Sequence, residues 1–275
     1  MKNKLVWIAV FILILFAISL KVFVKEEKIV DKPLNINVGD EFTVFESKNK
    51  KYVLNYAVGD ITGDNINDMV IIIGEKEIVE SPYAQNVDIV LYDSSANRHL
   101  KLELKKLHGS NFKIELADFT GEDIFDVMII AQNEDEYISR IITYADNKLM
   151  EIFKEKNNKG LYFSTELIDG FKVNISNKKL NINNIVELER DLCIKEKIFE
   201  ESGKLINKDI KPETTGFTTI ELVQLSNSFG IKTTQRIIMK NKLNIIDEVT
   251  LVWKYQDGKW QIKEANSIKQ GNLLY

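Results

Sequence analysis

Apolar residues run almost unbroken over residues 5–20, with Ser19 the one polar position, and after Lys21 a last triplet Val22-Phe23-Val24 extends the run. At about 1.5 Å per residue, a helix over residues 5–24 is about 30 Å long, the thickness of a bilayer core. The pattern predicts one membrane-crossing helix within residues 1–24. A cleaved signal peptide is the alternative, because Ala17-Ile18-Ser19 puts small residues at the positions a signal peptidase reads. Residues 25–41, charged and containing Pro33, read as a tether. Beyond them the pattern changes to apolar runs of four to eight residues between polar turns, which predicts an all-β domain over residues 42–275.

Within that domain, residues 52–58, 69–73, 87–92 and 100–104 read as four strands. Met69-Val70-Ile71-Ile72-Ile73 is apolar throughout, as a strand buried on both faces must be, whereas Leu100, Leu102 and Leu104 alternate. Residues 112–116, 127–131, 138–144 and 148–153 repeat the order. In both sets an acidic turn follows the first strand. Residues 58–72 align without gaps on residues 116–130, at an offset of 58, with seven of fifteen positions identical.

Four strands in a repeat of that size is the content of one propeller blade. The expected fold is therefore an all-β, propeller-like repeat domain of about four blades, over residues 42–104, 105–159, 160–210 and 211–275, the last two degenerate. A β-sandwich and a separate C-terminal β domain are the rival architectures. In the second half, residues 171–175 and 180–188 pair across Asn177-Lys178-Lys179, and residues 194–206 read as a hairpin turning at Ser202-Gly203. A further hairpin joins residues 248–255 to 260–263 through Asp257-Gly258, with Trp253 and Trp260 expected in the core.

Charge narrows the partners. The chain has 37 Lys and Arg against 41 Asp and Glu. Lys2, Lys4 and Lys21 lie in the first 24 residues, which hold no acid, so the remainder carries 34 basic against 41 acidic residues, a net charge of −7. An acidic surface argues against nucleic acid. The single Cys193 excludes an intramolecular disulfide, so the core must hold the domain.

The acidic turns carry the candidate chemistry. Calcium takes six to eight oxygens, and carboxylates at alternate positions of a tight turn supply them. The first loop offers Asp60, Asp64 and Asp68, the Thr62 hydroxyl and the Ile66 carbonyl; the second offers Asp118, Glu122 and Asp126, the Thr120 hydroxyl and the Ile124 carbonyl. These segments resemble the calcium loops of the FG-GAP/VCBS repeats found in integrin-type propellers and many exported bacterial proteins, whose signature is Asp-x-Asp-x-Asp-Gly-x-x-Asp. The resemblance covers residues 42–153. It implies propeller blades stiffened by calcium, with the loops supporting the fold while partners bind elsewhere.

The loops depart from that signature. Thr62 and Thr120 stand where Asp or Asn is usual, Glu122 is a longer carboxylate, and Asn65 and Asp123 replace the glycine that supplies positive φ, a conformation both tolerate. Two outcomes stay open: a bound calcium, or bare turns in which side-chain hydrogen bonds replace the ion. The layout and the Trp-Lys-x-x-Asp-Gly-Lys-Trp hairpin also resemble uncharacterised membrane-anchored proteins of low-GC, spore-forming bacteria.

Lysines flank the apolar segment almost evenly, Lys2 and Lys4 before it and Lys21, Lys25 and Lys28 after, so charge does not orient it. Calcium loops are useful where calcium is millimolar, which places the N-terminus inside and the bulk outside the cell membrane; cleavage near Ser19 would instead release the protein. No Gly-x-Ser-x-Gly, His-Glu-x-x-His, Walker or dinucleotide motif occurs. His99 and His108 read as surface residues, Cys193 as a buried or idle thiol, and Glu134-Asp135-Glu136 as a solvated acidic run. The expected function is a membrane-anchored, extracytoplasmic, calcium-stabilised binding or scaffold protein that recognises a protein or a cell-wall polymer. The alternative is an exported polysaccharide or peptidoglycan hydrolase.

Overall fold

The computed structural model describes residues 36–45, 47–239 and 245–269. The expected membrane segment at residues 5–24 lies outside them, as does most of the tether. No helix among the described residues is long and apolar enough to cross a membrane.

The described residues are almost entirely β. Strands β1 (Tyr52–Gly59), β2 (Asp68–Glu75), β3 (Gln85–Asp93) and β4 (Arg98–Glu103) form an antiparallel sheet in chain order. Strands β5 (Ser110–Ala117), β6 (Asp126–Asn133), β7 (Glu136–Ala145) and β8 (Lys148–Phe153) repeat that meander. A 3-10 turn, Glu155–Lys159, leads into β9 (Ser164–Ile168), β10 (Lys172–Asn177) and β11 (Ile182–Glu187), a sheet of order β11-β10-β9. A short helix α1 (Arg190–Lys195) precedes the last meander, β12 (Glu213–Gln224), β13 (Phe229–Ile238), β14 (Ile245–Gln256) and β15 (Lys259–Lys269). β12 is joined to β7 through the pair Phe217↔Tyr137, while β8 takes the rest of that edge, residues 141–145 of β7. None of these sheets closes into a barrel.

The apolar runs that read as doubly buried strands are explained by stacking. Successive side chains of a strand point to opposite faces. On β2, Val70 and Ile72 join a core shared with the second sheet, while Ile71 and Ile73 face the other way, beneath Phe42. On β6, Val127, Ile129 and Ala131 meet the first sheet, and Met128 and Ile130 meet the C-terminal half. β6 is thus a central layer with a separate core on each side. β4, at the margin of the first sheet, buries one face and alternates as expected: Leu100 and Leu102 point into the shared core.

The second half differs from its expectation at two places. Of the hairpin expected over residues 194–206 only the tip forms: α1 occupies the start, and residues 198–206 pair around the Ser202-Gly203 turn through the bridge Phe199↔Leu205, with the Glu200 amide donating to the Lys204 carbonyl at 2.9 Å and the Ile206 amide to that of Ile198 at 3.0 Å. Cys193, on α1, is buried and reaches the core, in keeping with the expected buried or idle thiol. The last unit is a full four-stranded meander with strands of ten to twelve residues, so it lacks the acidic loop without being degenerate in strand number. The hairpin between β14 and β15 forms as expected, with Asp257 and Gly258 both at positive φ. Trp253 is buried and donates to the Thr233 hydroxyl at 2.9 Å; Trp260 packs edge-on against Phe153.

Candidate functional site: the paired acidic loops

Each acidic loop links the first two strands of its sheet, and the two are built alike. Asp60 Oδ1 accepts the amides of Gly63 at 2.7 Å and Asp64 at 3.2 Å, and Oδ2 accepts that of Asn65 at 2.9 Å. Asp118 repeats this with Gly121 at 2.6 Å, Glu122 at 3.2 Å and Asp123 at 3.0 Å. The chain must curl tightly to bring three successive amides onto one carboxylate. Gly63 and Gly121 supply φ of 77° and 81°, and Asn65 and Asp123 follow at 65° and 59°, as their residue types allow.

The closing carboxylates are buried. Asp68, 1% exposed, accepts the amides of Ile61 and Thr62 and the Thr62 hydroxyl on Oδ2, at 3.1, 3.0 and 3.0 Å, and the amide of Ser94 on Oδ1 at 3.0 Å. Asp126, 2% exposed, accepts the amides of Phe119 at 2.9 Å and Thr120 at 3.0 Å, while the Thr120 hydroxyl donates to Asp118 Oδ1 at 3.5 Å. Burial pushes the Asp126 carboxyl above its ordinary range, and these hydrogen bonds only partly offset that. Asp64 is the opposite case: exposed, and held below the ordinary range by Ser95 and by the Ile66 amide.

This arrangement decides how the ten expected ligand groups are used. A carboxylate offers about four lone-pair sites, and Asp68 already accepts four donors. The Thr62 hydroxyl, expected to offer its oxygen to a cation, donates to Asp68 instead. The Ile66 and Glu122 side chains are exposed and that of Ile124 packs against Gly63; the carbonyls of Ile66 and Ile124 are the groups the sequence offered. Among the described residues no group of three or more His, Cys, Asp or Glu side chains is placed to hold a metal ion. As folded, hydrogen bonds engage Asp68 and the Thr62 hydroxyl in place of the cation contacts expected of them.

The loops are bonded to each other and to the C-terminal meander. The Phe125 amide donates to the Asp60 carbonyl at 3.3 Å, and one layer on, the Phe229 amide donates to the Asp118 carbonyl at 2.7 Å. A Cβ placed on Gly63 would lie 2.5 Å from Ile124 Cδ1, and one on Gly59 would lie 2.7 Å from Leu116 Cδ1. Between the loops and the turn that joins β12 to β13 lies a cleft of about 430 Å³, lined by Asp60, Asp118, Asp123, Phe125, Ser228 and Phe229 among others, and by no basic side chain. The signal for this cleft was present in the sequence: Phe125 is an apolar residue inside an acidic loop, where the first repeat has Asn67. Nothing in the sequence linked it to Ser228, a hundred residues away.

The other candidate groups are placed as follows. His99 is not a free surface residue: its ring lies 4.9 Å from that of Tyr92 and edge-on to Phe45, and both ring nitrogens are buried without a hydrogen-bond partner. Burial there lowers its pKa. His108 Nδ1 sits 3.0 Å from the Lys106 carbonyl. Burial raises the Cys193 thiol, which keeps it protonated and idle. Glu136 leaves the acidic run to accept the Gly216 amide at 2.8 Å, tying β7 to β12.

A family match falls in the half of the chain without acidic loops. No solved structure matches. The uncharacterised protein YybI of Bacillus subtilis (strain 168) is 25% identical over 134 residues, covering 47% of this chain and 51% of that protein. The chain thus spans about half the length of the curated relative it matches, which comes from a low-GC spore-former, as the hairpin resemblance implied. Residues 161–268, from just before β9 almost to the end of β15, match the family described as the YybI C-terminal domain.

Proposed function

We propose that this protein is an extracytoplasmic binding or scaffold module, held at the cell membrane by residues 5–24, whose partner is a protein or a cell-wall polymer. Its sheets are read as propeller-like blades: four-stranded meanders stacked face on face, with matching loops at one end. The observation that carries the reading is the commitment of the repeated acidic residues to architecture. Asp60, Asp68, Asp118 and Asp126 are bonded to backbone amides that shape or join the sheets. Residues so engaged build a rigid surface and do not turn over a substrate.

The test is co-sedimentation of the full chain with purified wall material from Bacillus subtilis, the organism of the relative, together with chemical cross-linking in intact cells. Saturable wall binding, or a discrete cross-linked protein species reached by a membrane-impermeant reagent, is the expected result. Neither outcome, or a chain that is inaccessible from outside the cell, overturns the proposal.

One observation favours the hydrolase alternative. On the outer face of the first sheet, Asp88 and Glu103 are cross-strand partners in a cleft of about 480 Å³, and burial raises the Asp88 carboxyl. A raised carboxyl beside a second one is the arrangement of a glycosidase acid. Lys51 bonds Asp88 at 2.7 Å, however, and ties up the oxygen a substrate would need. Release of reducing sugar or peptide from the same wall material would reverse the ranking.

A further inference from the structure

We propose that the loop end of the outer face of the first sheet is a docking surface for the turn end of a β layer in a partner polypeptide. The proposal rests on the binding-module reading, with a protein as the partner, and names the surface that the partner covers.

The chain makes one set of contacts between its first two layers and presents the same set again with nothing on it. At the offset of 58, Tyr56, Val58 and Ile66 are the counterparts of Ile114, Leu116 and Ile124. The registers agree: Tyr56 pairs with Ile71 and Val58 with Met69, as Ile114 pairs with Ile129 and Leu116 with Val127. Directly opposed residues share a face of their sheet, so Tyr56 and Val58 lie on the outer face with Ile71 and Met69.

In the second layer this face receives the first. Ile114 and Leu116 pack against the shared core, Leu116 presses on Gly59 and Ile124 on Gly63, and the Phe125 amide donates to the Asp60 carbonyl. In the first layer the same positions face solvent. Tyr56 is 39%, Val58 54% and Ile66 49% exposed, and the amide of Asn67, the counterpart of Phe125, has no partner among the described residues.

A stack of repeats ordinarily ends in a layer with a polar outer face. Here that face is apolar, and the segment before β1 covers only part of it, through Phe42, Val44 and Phe45. Single exposed hydrophobic residues need no explanation. Three at one end of one face, each matched to a residue that packs on a preceding layer, do.

The internal contact states what the occupant carries. Ile66 requires a glycine in a tight turn, Val58 a small residue before that turn, and the Asn67 amide a carbonyl oxygen between them. This chain has two loops of that kind, and both are engaged: Gly63 and the Asp60 carbonyl by the second layer, the Asp118 carbonyl by Phe229. Residues 1–35 are fewer than the 58 of one repeat. Neither a second copy nor that segment supplies a free loop, so the occupant is a layer of another polypeptide.

The test is photo-cross-linking of the full chain in intact Bacillus subtilis cells, with p-benzoylphenylalanine replacing Tyr56 or Ile66, or replacing Ile185, an exposed residue of β11, as control. Cross-linked peptides are identified by mass spectrometry. The first two positions are expected to join one and the same polypeptide, distinct from this chain, at a glycine-containing turn between strands, and the control is expected not to. Val58→Lys is expected to lower the yield from the Ile66 position about fivefold or more with the melting temperature unchanged, whereas a purely structural valine would lower the melting temperature. Cross-links to a second copy, to residues 1–35, to lipid or to a site away from such a turn overturn the proposal, as do products shared with the control or no product. If the chain still binds wall material, or the control still captures a partner, while the first two positions capture nothing, the docking surface fails and the binding-module reading stands.

Discussion

The amide of Phe125 donates to the carbonyl oxygen of Asp60 at 3.3 Å, so the second acidic loop is bonded to the first at the residue that opens it. Asp118, the repeat equivalent of Asp60, receives the Phe229 amide in the same way at 2.7 Å. The opening aspartate therefore works twice. Its side chain curls its own loop, and its main chain holds the next layer. Repetition of the loop follows from repetition of the layer.

Gly63 and Gly121 occupy equivalent turns at φ of 77° and 81°, and only Gly63 is pressed against another sheet, with Ile124 Cδ1 2.5 Å from the place a Cβ would take. Alanine at either site meets left-handed strain of about 1–2 kcal/mol. At Gly63 it also overpacks the loop contact, adding about 1 kcal/mol or more. In urea unfolding, Gly63→Ala is expected to cost measurably more than Gly121→Ala; equal losses would show that the loops do not touch as described.

Removing Asp68 strands the buried amide of Ile61 and the part-buried amide of Thr62. At about 1–3 kcal/mol for each orphaned donor, Asp68→Ala is expected to cost about 3 kcal/mol or more, and Thr62→Val about 1 kcal/mol. With Asp68 and Thr62 engaged in these hydrogen bonds, thermal unfolding of the natural chain is expected to be the same in millimolar calcium and in chelator. A melting temperature that rises by several degrees in calcium, together with a saturable heat of binding, would restore the metal-loop expectation.

Burial raises the Asp126 carboxyl above its ordinary value of 3.8. The folded state then holds that proton more tightly than the unfolded chain. The contribution of Asp126 to stability accordingly rises as pH falls through the folded value, and is level below the unfolded one. Asp126→Asn has no such titration. The stability difference between the natural chain and the variant is expected to move in favour of the natural chain between pH 7 and pH 4; movement the other way contradicts the burial argument.

Arg140, 1% exposed, is paired with Glu151 at 2.7 Å, whereas the pair Lys50–Glu41 is largely exposed. Breaking a buried pair from one side leaves an uncompensated charge, at a cost of about 3 kcal/mol. Glu151→Gln is expected to lose about that much in chemical unfolding, and Lys50→Ala to be indistinguishable from the natural chain. Comparable losses would mean that Arg140 is not held in the way its burial indicates.

Local pattern determined most of the strands of the first half, because residues 52–58, 69–73 and 127–131 carry periodicities that only a half-buried or a fully buried strand satisfies. It also determined the two loops, their positive-φ positions and the tryptophan hairpin, since each depends on residues close in sequence. It missed α1, which takes the start of the hairpin expected over residues 194–206 and buries Cys193, while the tip around Ser202-Gly203 pairs as expected. What the tertiary structure alone decided is what the loop carboxylates do. Composition cannot distinguish an aspartate that binds a cation from one saturated by amides, because that depends on where backbone N–H groups from the same and the next layer point. The same holds for the cleft, which exists only because stacking brings Asp60, Asp123 and Ser228 to one edge, although the chain separates the first and last by 168 residues.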